Sequence, residues 1–150
     1  MQAWQVLKLV HILAVIAAVG ANATYQFWYS RAGRDSARLV WVIENVRQLD
    51  RRVANPSYLV AALAGIGIVA TGPYSFTLPW IASAIVLYIV IAMIGAMAYA
   101  PAMRRQLELA RTAPESPQYE AAAKRSRMLG MVATGLVLVI VVLMVLQPTF

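Results

Sequence analysis

The sequence of 150 residues contains no cysteine and only one histidine. The absence of cysteine excludes disulfides, thiolate metal sites, iron–sulfur clusters and a catalytic thiol. Acidic side chains are also scarce, with six Asp and Glu against thirteen Lys and Arg, and charged residues make up only 13% of the chain. Since 61% of the residues are hydrophobic, the composition is typical of a chain whose solvent is lipid.

Long apolar segments predict an all-α membrane protein that folds as a single four-transmembrane-helix bundle over residues 1–150. A spanning helix needs about 20 apolar residues, and we place the spans at about residues 5–28, 56–72, 79–100 and 127–147. The second span is the shortest. We expect its helix to begin at Asn55-Pro56, with Asn55 as the N-cap and Pro56 in the first turn.

The charged residues lie almost entirely in the first and third connections between these spans. Lys and Arg favour cytoplasmic loops, so both connections are expected on the cytoplasmic side of the inner (plasma) membrane and both termini on the other side. This bias also explains the net charge of +7, and we expect no nucleic-acid partner. The basic residues are Arg31, Arg34, Arg38, Arg47, Arg51 and Arg52 in the first connection and Arg104, Arg105, Arg111, Lys124, Arg125 and Arg127 in the third.

Each basic connection is also expected to contain an amphipathic helix. Apolar residues recur at helical spacing between residues 39 and 53, which predicts a helix over Ser36–Arg52 that lies on the cytoplasmic surface or extends a spanning helix. In the third connection we expect a helix over residues 102–112, a break at Pro114, and a new helix that runs from Ser116-Pro117 into the fourth span. The arginines indicate anionic lipid headgroups as partners.

The only ionisable side chains within the spans are Lys8 and His11. Spacings of three and four residues place them on one helix face with Trp4, Asn22 and Tyr25, and we expect that face to point into the bundle. His11 is a candidate axial ligand to haem or another metal, and Lys8 a partner for a propionate or an anionic substrate. With Asn22, these are the candidate cofactor-binding residues. The alternative is that the stripe only packs the bundle through hydrogen bonds.

Other residue types restrict the kinds of functional site that the chain could contain. One imidazole cannot supply both axial ligands of a haem, so the second would be a methionine or His11 of another copy in a homo-oligomer. All carboxylates lie in the two basic connections, which argues against paired-carboxylate acid–base chemistry at membrane depth. Small residues at four-residue spacing, Gly20 with Thr24 and Ala61 with Gly65, predict close helix approach.

The first span also supports a family resemblance. Leu7-Lys8-Leu9-Val10-His11-Ile12-Leu13, followed by Val19-Gly20 and a basic helical connection, resembles a family of small bacterial integral membrane proteins of unknown function. That family is itself similar to copper-resistance protein D and to the four-helix membrane protoporphyrinogen oxidases. The resemblance implies that His11 binds haem or copper. The oxidases carry a lysine in a later span, which this chain lacks, and this departure argues against an enzyme.

These features leave three functional hypotheses. The first is a bundle that binds haem or partners a membrane redox protein through His11. The second is a non-enzymatic scaffold or accessory subunit of a membrane complex, in which the polar stripe only packs helices or docks a partner. The third is a small-solute carrier or channel, suggested by a weak internal repeat between residues 19–25 and 94–99.

Overall fold

The computed structural model describes residues 2–33 and 35–148, with the backbone alone at Ser36. Met1, Arg34 and residues 149–150, which include one arginine of the first basic connection and both chain ends, lie outside the described residues. The described part is helical, without a β-strand. Its elements are α1 (Ala3–Ala32), α2 (Ser36–Leu49), a π-helical segment (Asp50–Ala54), α3 (Asn55–Thr71), α4 (Pro79–Met93), a second π-helical segment (Ile94–Tyr99), α5 (Ala100–Thr112) and α6 (Pro117–Leu146).

The predicted fold class is confirmed. In the described residues, four continuous helices are long and apolar enough to cross a membrane. They span Ala3–Ala32, Ala37–Thr71, Pro79–Thr112 and Pro117–Leu146. The second combines α2 with α3 and the third combines α4 with α5, so the helices expected in the two connections are extensions of spanning helices. Their position on the membrane surface stays a prediction.

Each composite helix contains a π-helical segment two residues before a proline. In the first segment, the Asn55 N–H donates to the Asp50 carbonyl five residues back, and the second segment has an equivalent bond. In a regular α-helix the ring of Pro56 or Pro101 would clash with the carbonyl four residues back, and the wider π turn relieves this clash. The α-helical segment α3 does begin at Asn55, but the expectation that Asn55 is an N-cap is wrong, because the π turn lets the helix continue through Pro56.

The helices form two hairpins. In the first hairpin α1 packs along α2 and α3, and in the second α6 packs along α4 and α5. The hairpins meet chiefly where α2 packs on α5, at the end of the molecule that we call the basic end. The main apolar cluster lies there. Its buried members are Tyr25, Ala32, Leu39, Val42, Ile43, Val46, Met103, Leu107 and Ala110.

The two basic connections lie at the same end of the molecule. The packing of α2 on α5 and an ion pair between Glu44 and Arg111 bring them together. The uncharged loop over residues 72–78 lies at the opposite end of α3 and α4. Near Pro114 the chain breaks as expected, and the Ser116 hydroxyl oxygen accepts the Tyr119 N–H at 3.2 Å to cap α6. Which side of the membrane the basic end faces stays a prediction.

Candidate functional site

The single histidine lies in the contact between α1 and α3. His11 Nδ1 is 2.7 Å from the Ala61 carbonyl oxygen, and since a carbonyl oxygen only accepts, Nδ1 carries a proton and donates it there. The ring lies against Gly65, where an added Cβ would approach Cε1 and Nδ1 of the histidine to 3.3 Å. The small residues of α3 therefore make the space that the imidazole occupies, and the close helix approach predicted from Ala61 and Gly65 is found here.

Asn22 lies farther along the same contact. Its Nδ2 donates to the Tyr58 hydroxyl at 2.6 Å. Asn22 and His11 are eleven residues apart on α1, which corresponds to about 16 Å along the helix axis. The structure thus places both predicted site residues between α1 and α3, but they do not form one site.

Lys8 is placed differently from the prediction. Its side chain is exposed, whereas Trp4 and Tyr25 of the same predicted stripe are half-buried and buried. The expectation that Lys8 points into the bundle is wrong, because its spacing puts it at the edge of the packed face. Gly20 and Thr24 are exposed as well, and no heavy atom outside α1 comes close to Gly20. They do not make the close helix contact expected of them.

A polar cluster that the sequence did not predict lies near the basic end. Asp50 in the first π segment is half-buried. Its carboxylate accepts the Tyr25 hydroxyl at 3.4 Å on one oxygen and the Asn55 amide at 3.3 Å on the other. In the described part of the chain, no basic side chain pairs with Asp50. We call Tyr25, Asp50 and Asn55 the Asp50 cluster.

One signal in the sequence points to this cluster. Asp50 lies seven residues after Ile43 and four residues after Val46, so it shares a helix face with two of the most deeply buried side chains. Its position beside Arg51 and Arg52 instead placed it among the charged residues of the first connection.

Two tyrosine hydroxyls connect the hairpins. The Tyr88 hydroxyl on α4 donates to the Tyr58 carbonyl at 3.3 Å, and the Tyr29 hydroxyl on α1 lies 3.2 Å from Met103 Sδ on α5. The Tyr58 side chain is the partner of Asn22, so this residue contacts both hairpins.

Few side chains in the described residues could bind a haem or a metal ion together with His11. The described residues contain no group of three or more His, Cys, Asp or Glu that could hold a metal ion. The methionines Met93 and Met97 are exposed on the second hairpin, while His11 packs inside the first. His11 is the single imidazole of the chain and can fill one axial position of a haem.

Comparisons with known proteins add a family but no activity. No curated protein and no solved structure matches the chain. Nothing in these comparisons supports the extension of the resemblance to copper-resistance protein D or to the protoporphyrinogen oxidases. The family match covers residues 5–148. The chain therefore belongs to the DUF2269 family of predicted integral membrane proteins.

Proposed function

We propose that this protein is a non-enzymatic scaffold or accessory subunit of a membrane complex. The observation that supports this proposal is the hydrogen bond from His11 to the Ala61 carbonyl, with the ring packed on Gly65. Asn22 likewise has its partner inside the first hairpin. Two of the three candidate site residues thus serve helix packing, as hydrogen bonds between spanning helices commonly do.

The surface of the spans supports a role in assembly. In the most apolar stretch of α6, only 6% of the residues are buried within the chain. Large apolar side chains of α6 such as Leu138 and Val142 are about half exposed. In a membrane this surface contacts lipid or another membrane protein. Close packing against a second protein gives more favourable dispersion energy than contact with mobile lipid tails.

Two substitutions of His11 test whether its role is packing or ligation. A glutamine side chain can still donate to the Ala61 carbonyl but is a poor haem ligand, whereas leucine can do neither. We expect His11→Gln to keep most of the thermal stability of the purified protein. His11→Leu should lower it by about 0.6–1.7 kcal/mol, the range measured for such bonds in membranes. The measurement is thermal unfolding in detergent, with an absorbance spectrum of each variant.

The same spectra can refute the proposal. A Soret band in the isolated wild type that disappears in both His11 variants would show that His11 binds haem. Equal stability of all three proteins would show that the hydrogen bond to Ala61 is without effect, and the packing role would be wrong.

A second candidate function is a haem held between two copies of the chain. It is favoured by the tautomer of His11: a proton on Nδ1 that is donated to a backbone carbonyl leaves Nε2 as the metal-binding nitrogen, as in many histidine ligands. The second axial ligand would be His11 of the other copy. This function requires that the Soret band and a dimer in detergent be lost together in His11→Gln.

A further inference from the structure

A groove at the basic end combines tryptophans with an unpaired arginine. It has a volume of about 350 Å³ and lies between the end of α1 and the outer face of α2. Trp28 of α1 forms one side. Trp41, Asn45, Gln48 and Arg52 recur at spacings of four, three and four residues along the other side. The floor is apolar and contains Val42, Val46, Leu49 and Val53.

We propose that this groove binds an anionic phospholipid, with Arg52 on the phosphate and Gln48 and Trp28 beside the headgroup. This inference is independent of the proposed scaffold function.

The charge of the groove is positive. Arg52 is exposed, and in the described part of the chain it has no carboxylate within salt-bridge distance. The nearest acidic residue along the chain, Asp50, is occupied by Tyr25 and Asn55. Arg31, one turn beyond Trp28, lies over the Phe27 ring at 5.0 Å from its centroid and does not line the groove, so the positive charge of the groove comes from Arg52. An anion therefore meets uncompensated positive charge here.

The depth of Arg52 corresponds to that of a lipid phosphate. A helix rises about 1.5 Å per residue, so Arg52 lies about 28 Å along the axis from Thr71 at the opposite end of α3. The hydrocarbon core of a bilayer is about 30 Å thick. When the loop end of α3 lies at one boundary of the hydrocarbon, Arg52 lies close to the other, where phosphates are found and tryptophans are enriched. A soluble anion is not confined to this depth, whereas a lipid phosphate is.

The polar residues above Arg52 suit a headgroup that carries hydroxyls. Asn45 Nδ2 donates to the Trp41 carbonyl, which leaves the amide oxygen of Asn45 as an acceptor. Gln48 lies between Asn45 and Arg52 on the same side of the groove. Asn45 and Gln48 are farther from Thr71 than Arg52 is, on the side of the headgroup, whereas Val53 is one residue nearer to Thr71 and offers apolar surface to the first acyl carbons. Phosphatidylglycerol has the charge and the hydroxyls that this arrangement would recognise.

The test compares the full chain in nanodiscs of phosphatidylcholine with a low, varied fraction of phosphatidylglycerol. Bound lipid is measured by native mass spectrometry of the released protein. The test variant is Arg52→Gln. The matched control is Arg104→Gln, which removes an equally exposed arginine from α5, outside the groove and without a carboxylate partner in the described residues.

We expect wild type and Arg104→Gln to retain phosphatidylglycerol in preference to phosphatidylcholine. Arg52→Gln should lose about fivefold in apparent affinity, which is the effect of about 1 kcal/mol for one basic residue at an anionic surface. Unfolding temperatures in pure phosphatidylcholine nanodiscs show that each variant is folded.

Three results would overturn the proposal. Equal losses in Arg52→Gln and Arg104→Gln would show diffuse attraction by the basic end instead of a site. Equal retention of both lipids by the wild type would show that the groove does not select charge. Competition by inorganic phosphate as effective as that by phosphatidylglycerol would assign the groove to a soluble anion.

Discussion

Asp50 is the single residue whose surroundings depart most from its position in the sequence. Its neighbours along the chain are arginines, yet its carboxylate accepts bonds from a tyrosine and an asparagine near the interface of α1 with the composite helix. A half-buried carboxylate loses part of its hydration, so these two donors must replace water.

Removal of this carboxylate is expected to destabilise the protein. Asp50→Ala would leave Tyr25 and Asn55 without their acceptor and should cost about 1–3 kcal/mol in the free energy of unfolding, measured by thermal or denaturant unfolding in detergent. Asp50→Asn keeps an acceptor oxygen and should cost less. The control is Glu108→Ala, because Glu108 is exposed and its pair with Arg105 is a surface ion pair of little value. Equal effects of Asp50→Ala and Glu108→Ala would show that the Asp50 cluster has no structural role.

At the scale of helices, the π segments set the orientation of everything that follows them. A π turn contains one residue more than the α-helix it replaces, so side chains beyond it are rotated by about 100° relative to an uninterrupted α-helix. Beyond the second segment, this rotation places Met103 and Leu107 in the apolar cluster against α2. Pro101 keeps the turn open because its ring cannot fit beneath an α-helical carbonyl.

If Pro101 keeps the second π turn open, a second change should compensate for the loss of this turn in the second composite helix. Deletion of Ala96, an exposed residue of the π segment, should close the turn to α-helix and force Pro101 against the carbonyl four residues back. The deletion alone is therefore expected to destabilise the protein by about 3 kcal/mol. Combining it with Pro101→Ala should restore most of the loss, because a regular helix then keeps the register of α5. The measurement is thermal unfolding of the single deletion and of the double variant. A double variant no more stable than the single deletion would contradict this account.

At the scale of the whole molecule, the hairpins are held together mainly at the basic end. The ion pair of Glu44 with Arg111 is exposed and contributes little, whereas Ile43 and Val46 are almost completely buried where α2 meets α5. This packing places both basic connections on one side of any membrane that the helices cross.

The absence of cysteine makes the topology directly measurable. Single cysteines at the exposed positions Ser75 and Glu115 lie in the uncharged loop and in the turn between α5 and α6. A membrane-impermeant thiol reagent applied to intact cells with a permeable outer layer should label Ser75→Cys and not Glu115→Cys, because Lys and Arg are retained on the cytoplasmic side. Disruption of the membrane should then expose Glu115→Cys. The reverse pattern would invert the proposed orientation, and labelling of both in intact cells would exclude a membrane-spanning arrangement.

Much of the architecture follows from the sequence alone, since a lipid solvent requires about 20 apolar residues per span and excludes charge from them. The four spans, the break at Pro114 and the inward face around His11 and Asn22 could all be predicted for this reason. These features depend on residues that are neighbours along one helix, and their spacing is readable in the sequence.

Only the tertiary structure decided which polar groups are partners. The pairing of His11 with Ala61, the turn of Asp50 toward Tyr25 and the outward position of Lys8 depend on the register and rotation of helices that are distant in the sequence. An extension of the second spanning helix was one of the two positions predicted for the Ser36–Arg52 helix, but the π turn that carries it through Pro56 was not predicted. A π turn is a small local deformation, and here the packing of α2 on α1 and α5 accompanies it. Local spacing contains no information about such contacts, because the same periodicity is compatible with many relative positions of two helices.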